Sequence, residues 1–278
     1  MFILVILISL LGCNTKSESM NYLFTPKQTE KDLIIPKRIG KPRILFIGNN
    51  SEELYYSNTP SIFLDICKAN NETMDFSINA DYKKNKEETD QIFKNKDKDG
   101  NYFDYVVYYE STSVALSDLD KFKTNTKTIT EKIRKNSPYA LIYIYQAMSP
   151  VSVNDFYHKD YYKILQKNST SVIESTKGLK LLKAGDAFMD AYFNPDNKYN
   201  YFYNNIDNLS KNPYEELNDG KFLQAVLLYT TIFNKKPIIP EIVSLRYSFD
   251  LNELIHFPIV RKEVTDIYKL IDIAYNNQ

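Results

Sequence analysis

The sequence predicts an α/β fold, a three-layer α/β/α sandwich around a parallel five-stranded sheet, and three observations carry that expectation. Apolar runs such as "ILFI" at 44–47 and "YVVYY" at 105–109 continue without polar alternation, as strands buried on both faces require. Segments with apolar residues at helical spacing separate these runs. Strands alternating with helices close most naturally as a sheet covered on both sides by right-handed crossovers. With 278 residues, 43% hydrophobic and 25% charged, the chain has the composition to bury a substantial core.

Taken in order, "RILFIG" (43–48) is a continuous buried strand running into Asn49, Asn50 and Ser51. "TPSIFLDICKAN" places Ile62, Phe63, Ile66 and Cys67 on one helical face, and "TMDFSINAD" alternates as a second strand. "KKNKEETDQIFKNKDKDGN" has nearly balanced charge and reads as a solvated helix and turn. "FDYVVYYES" is a third strand, followed by a helix with Leu116, Leu119, Phe122, Ile129 and Ile133 on its inner stripe. "YALIYIYQAM" and "KGLKLLKAG" supply the fourth and fifth strands, with a polar helical stretch between them. After Gly185 the pattern is helical, through "DAFMDAY", "GKFLQAVLLYTTIF" and "RKEVTDIYKLIDIAYNN". One domain over 41–278 suffices, ending in a helical extension from about 238 to 278.

Ligands of an open parallel sheet sit at the carboxyl ends of its strands. Four segments face that edge: Asn49 to Glu53, Glu110 to Ser113, Gln146 to Ser149, and Gly185 with Asp186. Asn49, Glu110, Ser111, Gln146 and Asp186 are therefore the candidate binding residues.

The first thirteen residues, "MFILVILISLLGC", form an apolar run too short to span a bilayer and are followed at once by "NTKSES". They read as a signal peptide, and Leu10-Leu11-Gly12-Cys13 resembles the bacterial lipobox, although the run carries no Lys or Arg before it. That resemblance implies a lipoprotein acylated on Cys13, held through membrane lipid at the cell membrane or outer membrane on an extracytoplasmic face. Residues 14–40, polar and broken by Pro26 and Pro36, read as a tether. Lys plus Arg and Asp plus Glu are each 35, so no net field favours nucleic acid as a partner. Cys67 is left unpaired in the mature chain, and neither His158 nor His256 has a neighbour at ligand spacing, so no metal and no cofactor is expected.

The ordered blocks resemble the SGNH or GDSL-type hydrolases, lipid and carbohydrate esterases with a flavodoxin-like sandwich. "ILFIGNN" matches that family's first block, a strand ending in Gly-Asp-Ser or Gly-Asn-Ser, in everything except the nucleophilic Ser, whose place Asn50 takes. "FDYVVYYEST", "ALIYIYQAMSP" and "KGLKLLKAGDAFMDAY" resemble later core blocks. "NDGKFLQAVLLYTTIFNKKP" resembles the helix after the family's Asp-x-x-His block, with Gly220, Leu223, Ala225 and Tyr229 fitting. Counting back without a gap puts Asn212 and Glu215 where the Asp and His would stand. The resemblance, over roughly 42–237, implies the fold; at the three catalytic positions the residues depart from it.

Ester cleavage by this route needs a hydroxyl, an imidazole to take its proton and a carboxylate to orient the imidazole. An Asn amide cannot form the acyl-enzyme, so the expected function is a catalytically degenerate module that keeps its cleft for a glycan or an acylated envelope ligand. The competing expectation is an active esterase or deacetylase using Ser51. Its non-standard base would be His158, four residues into "DFYH", where Asp155 and His158 repeat the Asp-x-x-His spacing. Ser51, followed by two Glu, reads equally as a helix N-cap.

Overall fold

The computed structural model describes residues 39–49, 54, 59–84, 86–149, 155–193, 218–247, 255–260 and 266–278, and only the backbone of 155–159, 192–193, 218–219, 242–247 and 255–260. The signal peptide, Cys13 and nearly all of the tether lie outside these residues, as do Asn50, Ser51, Asn212 and Glu215.

Five strands form where the apolar runs predict them: β1 (Arg43–Asn49), β2 (Asp75–Asn79), β3 (Tyr105–Glu110), β4 (Leu141–Tyr145) and β5 (Leu179–Leu182). Their order is β2-β1-β3-β4-β5, and every neighbouring pair is parallel. All seven residues of β1 are buried, whereas β2 at the edge exposes its first two. The two-residue period of a strand sorts the side chains into two cores. Ile44, Phe46, Val107, Tyr109, Tyr143 and Tyr145 face α1 (Thr59–Ala69), α6 (Ala184–Phe193), α7 (Asn218–Phe233) and α8 (Ile267–Asn276). Leu45, Ile47, Val106, Tyr108, Ile142 and Ile144 face α2 (Lys86–Lys94), α3 (Thr112–Ser117), α4 (Leu119–Asn136) and α5 (Asp155–Ser175).

Two expectations need correction. The helix expected to carry Leu116 through Ile133 is two helices, because Asp118 ends α3 and caps α4, its side chain accepting from the Lys121 N–H at 3.0 Å. A short carboxylate competes with the helical ladder for backbone donors, so it breaks one helix and starts the next. The C-terminal stretch is not helical throughout: β6 (Ile242–Tyr247) and β7 (Ile255–Val260) form an antiparallel hairpin before α8. Pro258 would break a helix interior, and Ile242, Val243, Ile255, Ile259 and Val260 are β-branched. His256 sits in β7 opposite Arg246, with only its backbone described.

The amino end of the sheet is closed by one side chain. Arg43, buried at the start of β1, donates from one guanidinium nitrogen to the carbonyl oxygens of Asn95 (3.0 Å) and Asn101 (2.9 Å). Its guanidinium carbon lies 4.6 Å from the centre of the Phe103 ring. Asp97 organises the same loop, accepting from the Asp99 and Asn101 N–H groups at 2.9 and 2.7 Å. Arg43→Met keeps most of the packing and removes the donors. The expected loss is about 2 kcal/mol, visible as a thermal midpoint lower by about 4–8 °C. An unchanged midpoint would show that water replaces the guanidinium at no cost.

Candidate functional site

In this strand order β1 lies between β2 and β3, so the chain leaves β1 in one direction and β3 in the other, and their carboxyl ends flank a crevice. The last pair across that point is Asn49 with Glu110. Glu110 is 2% exposed. Its Oε1 accepts from the Asn49 side-chain amide and from the Ser111 N–H at 3.0 Å. Its Oε2 accepts from the Tyr108 hydroxyl and from Asn125 Nδ2, each at 2.8 Å. Lys83 Nζ donates to Asn125 Oδ1 at 2.9 Å, so the nearest positive charge in this network stands one residue removed from the carboxylate.

A buried carboxylate is tolerated when donors surround it, and four donors occupy the two oxygens here. The charge has a cost for its neighbours. Burial first, and the Glu110 charge second, hold the Tyr108 hydroxyl well above the usual tyrosine range. The same two causes, in the same order, push Tyr82 up to about 12. The Tyr82 ring lies 6.3 Å from that of Tyr108, and its N–H donates to Gly48 O at 2.9 Å, holding the loop after β2 against the end of β1.

A second polar group stands beyond β4 and β5. Glu110 and Gln146 each follow by two residues the paired Tyr108 and Ile144, which sets them side by side on neighbouring strands. Gln146, fully buried, donates from Nε2 to Asp186 Oδ1 (2.8 Å) and accepts on Oε1 from the Asp186 N–H (2.9 Å). Asp186 Oδ1 also accepts from the Tyr162 hydroxyl (2.8 Å) and from Gln166 Nε2 (3.1 Å), both on α5. Gly185 permits this approach: a Cβ there would lie 2.8 Å from the Ala147 carbonyl oxygen and 3.1 Å from Gln146 Oε1.

On the opposite face, Gln224 Oε1 accepts from the Thr59 hydroxyl and the Tyr145 hydroxyl, both at 3.1 Å. This ties the start of α1 to α7, the helix that the sequence likens to the family's late block. Leu223, Ala225 and Tyr229 in that block are all fully buried.

All five candidate binding residues thus lie in two hydrogen-bonded groups, Asn49 with Glu110 and Ser111, and Gln146 with Asp186. Ser111 Oγ approaches Ser113 Oγ at 3.4 Å. Asp155 opens α5, and His158 falls in its first turn, near the carboxyl edge that β4 leaves; their side chains are outside the description. Tyr108, Asn125, Lys83, Tyr162 and Gln166 escaped the sequence reading. Asn125 was detectable, since it interrupts the apolar stripe between Phe122 and Ile129. Tyr162 and Gln166, four apart on one helix, gave no signal until Asp186 was placed between them.

No protein-family model matches this chain, and no curated protein sequence matches it. Solved structures do. A DUF4886 family protein from Bacteroides uniformis is 15% identical with a TM-score of 0.50, over 85% of this chain and 94% of that one. A candidate SGNH hydrolase from Slackia heliotrinireducens is 15% identical with a TM-score of 0.51, over 69% of this chain and the whole of that one. The fold is SGNH hydrolase-like. In an open parallel sheet of this order ligands sit where the carboxyl ends of β1 and β3 part, and Asn49 and Glu110 pair there.

Gly185→Ala is expected to lower stability by about 1–3 kcal/mol through the clash with backbone, despite the better helix propensity of Ala. A midpoint equal to or above the parent's would mean that the β5–α6 junction yields easily. Tyr82, with its pKa raised in the fold, contributes stability that is complete below the unfolded value near 10 and is lost as pH rises toward about 12. Urea midpoints across that range should fall less steeply for Tyr82→Phe than for the parent, and equal slopes would refute the assignment.

Proposed function

We propose that the domain is a catalytically degenerate SGNH-like module that binds a glycan or an acylated envelope ligand at its carboxyl edge, while acylated Cys13 holds it at the membrane outside the cytoplasm. The observation that carries the reading is the end of β1. The strand stops at Asn49, beside Glu110, and the next residue is Asn50 rather than a hydroxyl nucleophile. Asn212 and Glu215 supply no imidazole where the family resemblance calls for one. Acyl transfer fails without nucleophile and base, whereas recognition needs only an ordered polar rim. The two hydrogen-bonded groups at the edge are such a rim. Anchoring rests on the lipobox at Leu10–Cys13 and the polar tether behind it.

A second reading, an esterase or deacetylase using Ser51 with His158, is favoured by one observation. α5 begins at Asp155, in the connection that follows β4, whose carboxyl end lies on the same edge of the parallel sheet as that of β1. Hydrolysis of p-nitrophenyl acetate by the full chain in detergent separates the two. The degenerate module, Ser51→Ala and His158→Ala should all run at the buffer rate. Turnover above buffer that both substitutions abolish would establish the esterase and end the degenerate reading.

A further inference from the structure

We infer that Asp186 is the contact point for a neutral, hydroxyl-rich ligand, a saccharide, and that Gln146, Tyr162 and Gln166 are positioning residues for its carboxylate. The inference rests on the binding reading above and names the atom that does the binding. Of the two carboxylates that centre the hydrogen-bonded groups at the edge, Glu110 is buried with donors on both oxygens and has nothing left to offer a ligand. Asp186 is arranged differently. Three neutral donors converge on Oδ1, from Gln146, Tyr162 and Gln166, while the residue remains partly exposed. No hydrogen bond of the described residues reaches Oδ2.

Three hydrogen bonds to one oxygen fix the plane of the carboxylate, so its second oxygen is an acceptor already oriented before any ligand arrives. Asp186 also lies in the first turn of α6, so the backbone orients its carboxylate together with the three side chains. A carboxylate oxygen with its lone pairs open selects a hydrogen-bond donor. No cluster of three or more His, Cys, Asp or Glu able to hold a metal occurs among the described residues, so the group is not built as a cation cage. The neutral donors on Oδ1 spread its charge, which leaves hydroxyl donors, as sugars present them, as the matching partner. Gln146 carries the arrangement into the sheet, because its amide bridges the Asp186 side chain and the Asp186 backbone N–H.

The test uses the full chain in detergent with fluorescently labelled chitohexaose, cellohexaose and mannohexaose, read by fluorescence polarisation for the parent, Asp186→Asn and Gln166→Ala. Asp186→Asn preserves size and an acceptor for the three donors, and it can turn the open acceptor into a donor. At least one oligosaccharide should bind the parent. Asp186→Asn should weaken it at least tenfold with a thermal midpoint near the parent's, and Gln166→Ala should weaken it by a smaller factor. Equal binding by parent and Asp186→Asn overturns the role of Asp186 and leaves the glycan reading standing. An Asp186→Asn variant that does not fold passes the decision to Gln166→Ala, whose unchanged affinity overturns the role equally. Absence of any saccharide binding overturns the glycan reading and this inference with it. Spermine bound through Asp186 in place of a saccharide overturns the ligand class.

Discussion

A single negative charge at the middle of the sheet's carboxyl edge sets the conditions for everything around it. Glu110 is buried, its partners are neutral, and the Lys83 ammonium reaches it only through Asn125. Each hydrogen bond to a charged group is worth about 1.5–3 kcal/mol, so losing one donor from such a set is expensive. The ends of β1 and β3, the start of α3 and the inner face of α4 are therefore held in register by one side chain. The packing of the tyrosines beneath it carries the electrostatic consequence, since hydroxyls near a fixed anion in a dry setting keep their protons.

The architecture was legible because buried parallel strands leave a plain trace in sequence. "ILFI", short and bounded by Arg43 and Gly48, reads as a central strand, and the structure buries every residue of β1. Helix faces were equally readable where apolar residues recur, as with Ile62, Phe63, Ile66 and Cys67 in α1. The reading failed where a local preference is decided by one polar or cyclic residue. Asp118 divides α3 from α4, and Pro258 with its β-branched neighbours turns a stretch with a helical neighbour into a hairpin. For the site, topology sufficed to bring five candidates to one edge. What sequence could not supply was the partner of each, because hydrogen bonds between residues 15 to 61 positions apart leave no periodic mark.

The arrangement also separates stability from chemistry. The hydrogen bonds described at the edge join β1, β3 and α4 in one group and the end of β4, α5 and α6 in another. Polar side chains that share donors and acceptors across these elements keep the edge in place without any contribution from a reacting group. An edge built this way can serve different functions on the same scaffold.

The guanidinium of Arg43 makes the two ends of the sheet unequal. At the amino end it plugs a loop whose carbonyl oxygens at 95 and 101 converge on one nitrogen, so that loop has a fixed length and a fixed shape. Inserted residues there would pull a carbonyl off its donor, and among the described residues no guanidinium bridges two carbonyl oxygens at the carboxyl ends of the strands. A change of length in that loop is therefore a change in how the central strand begins, and the underside of the sheet serves as a fixed mount.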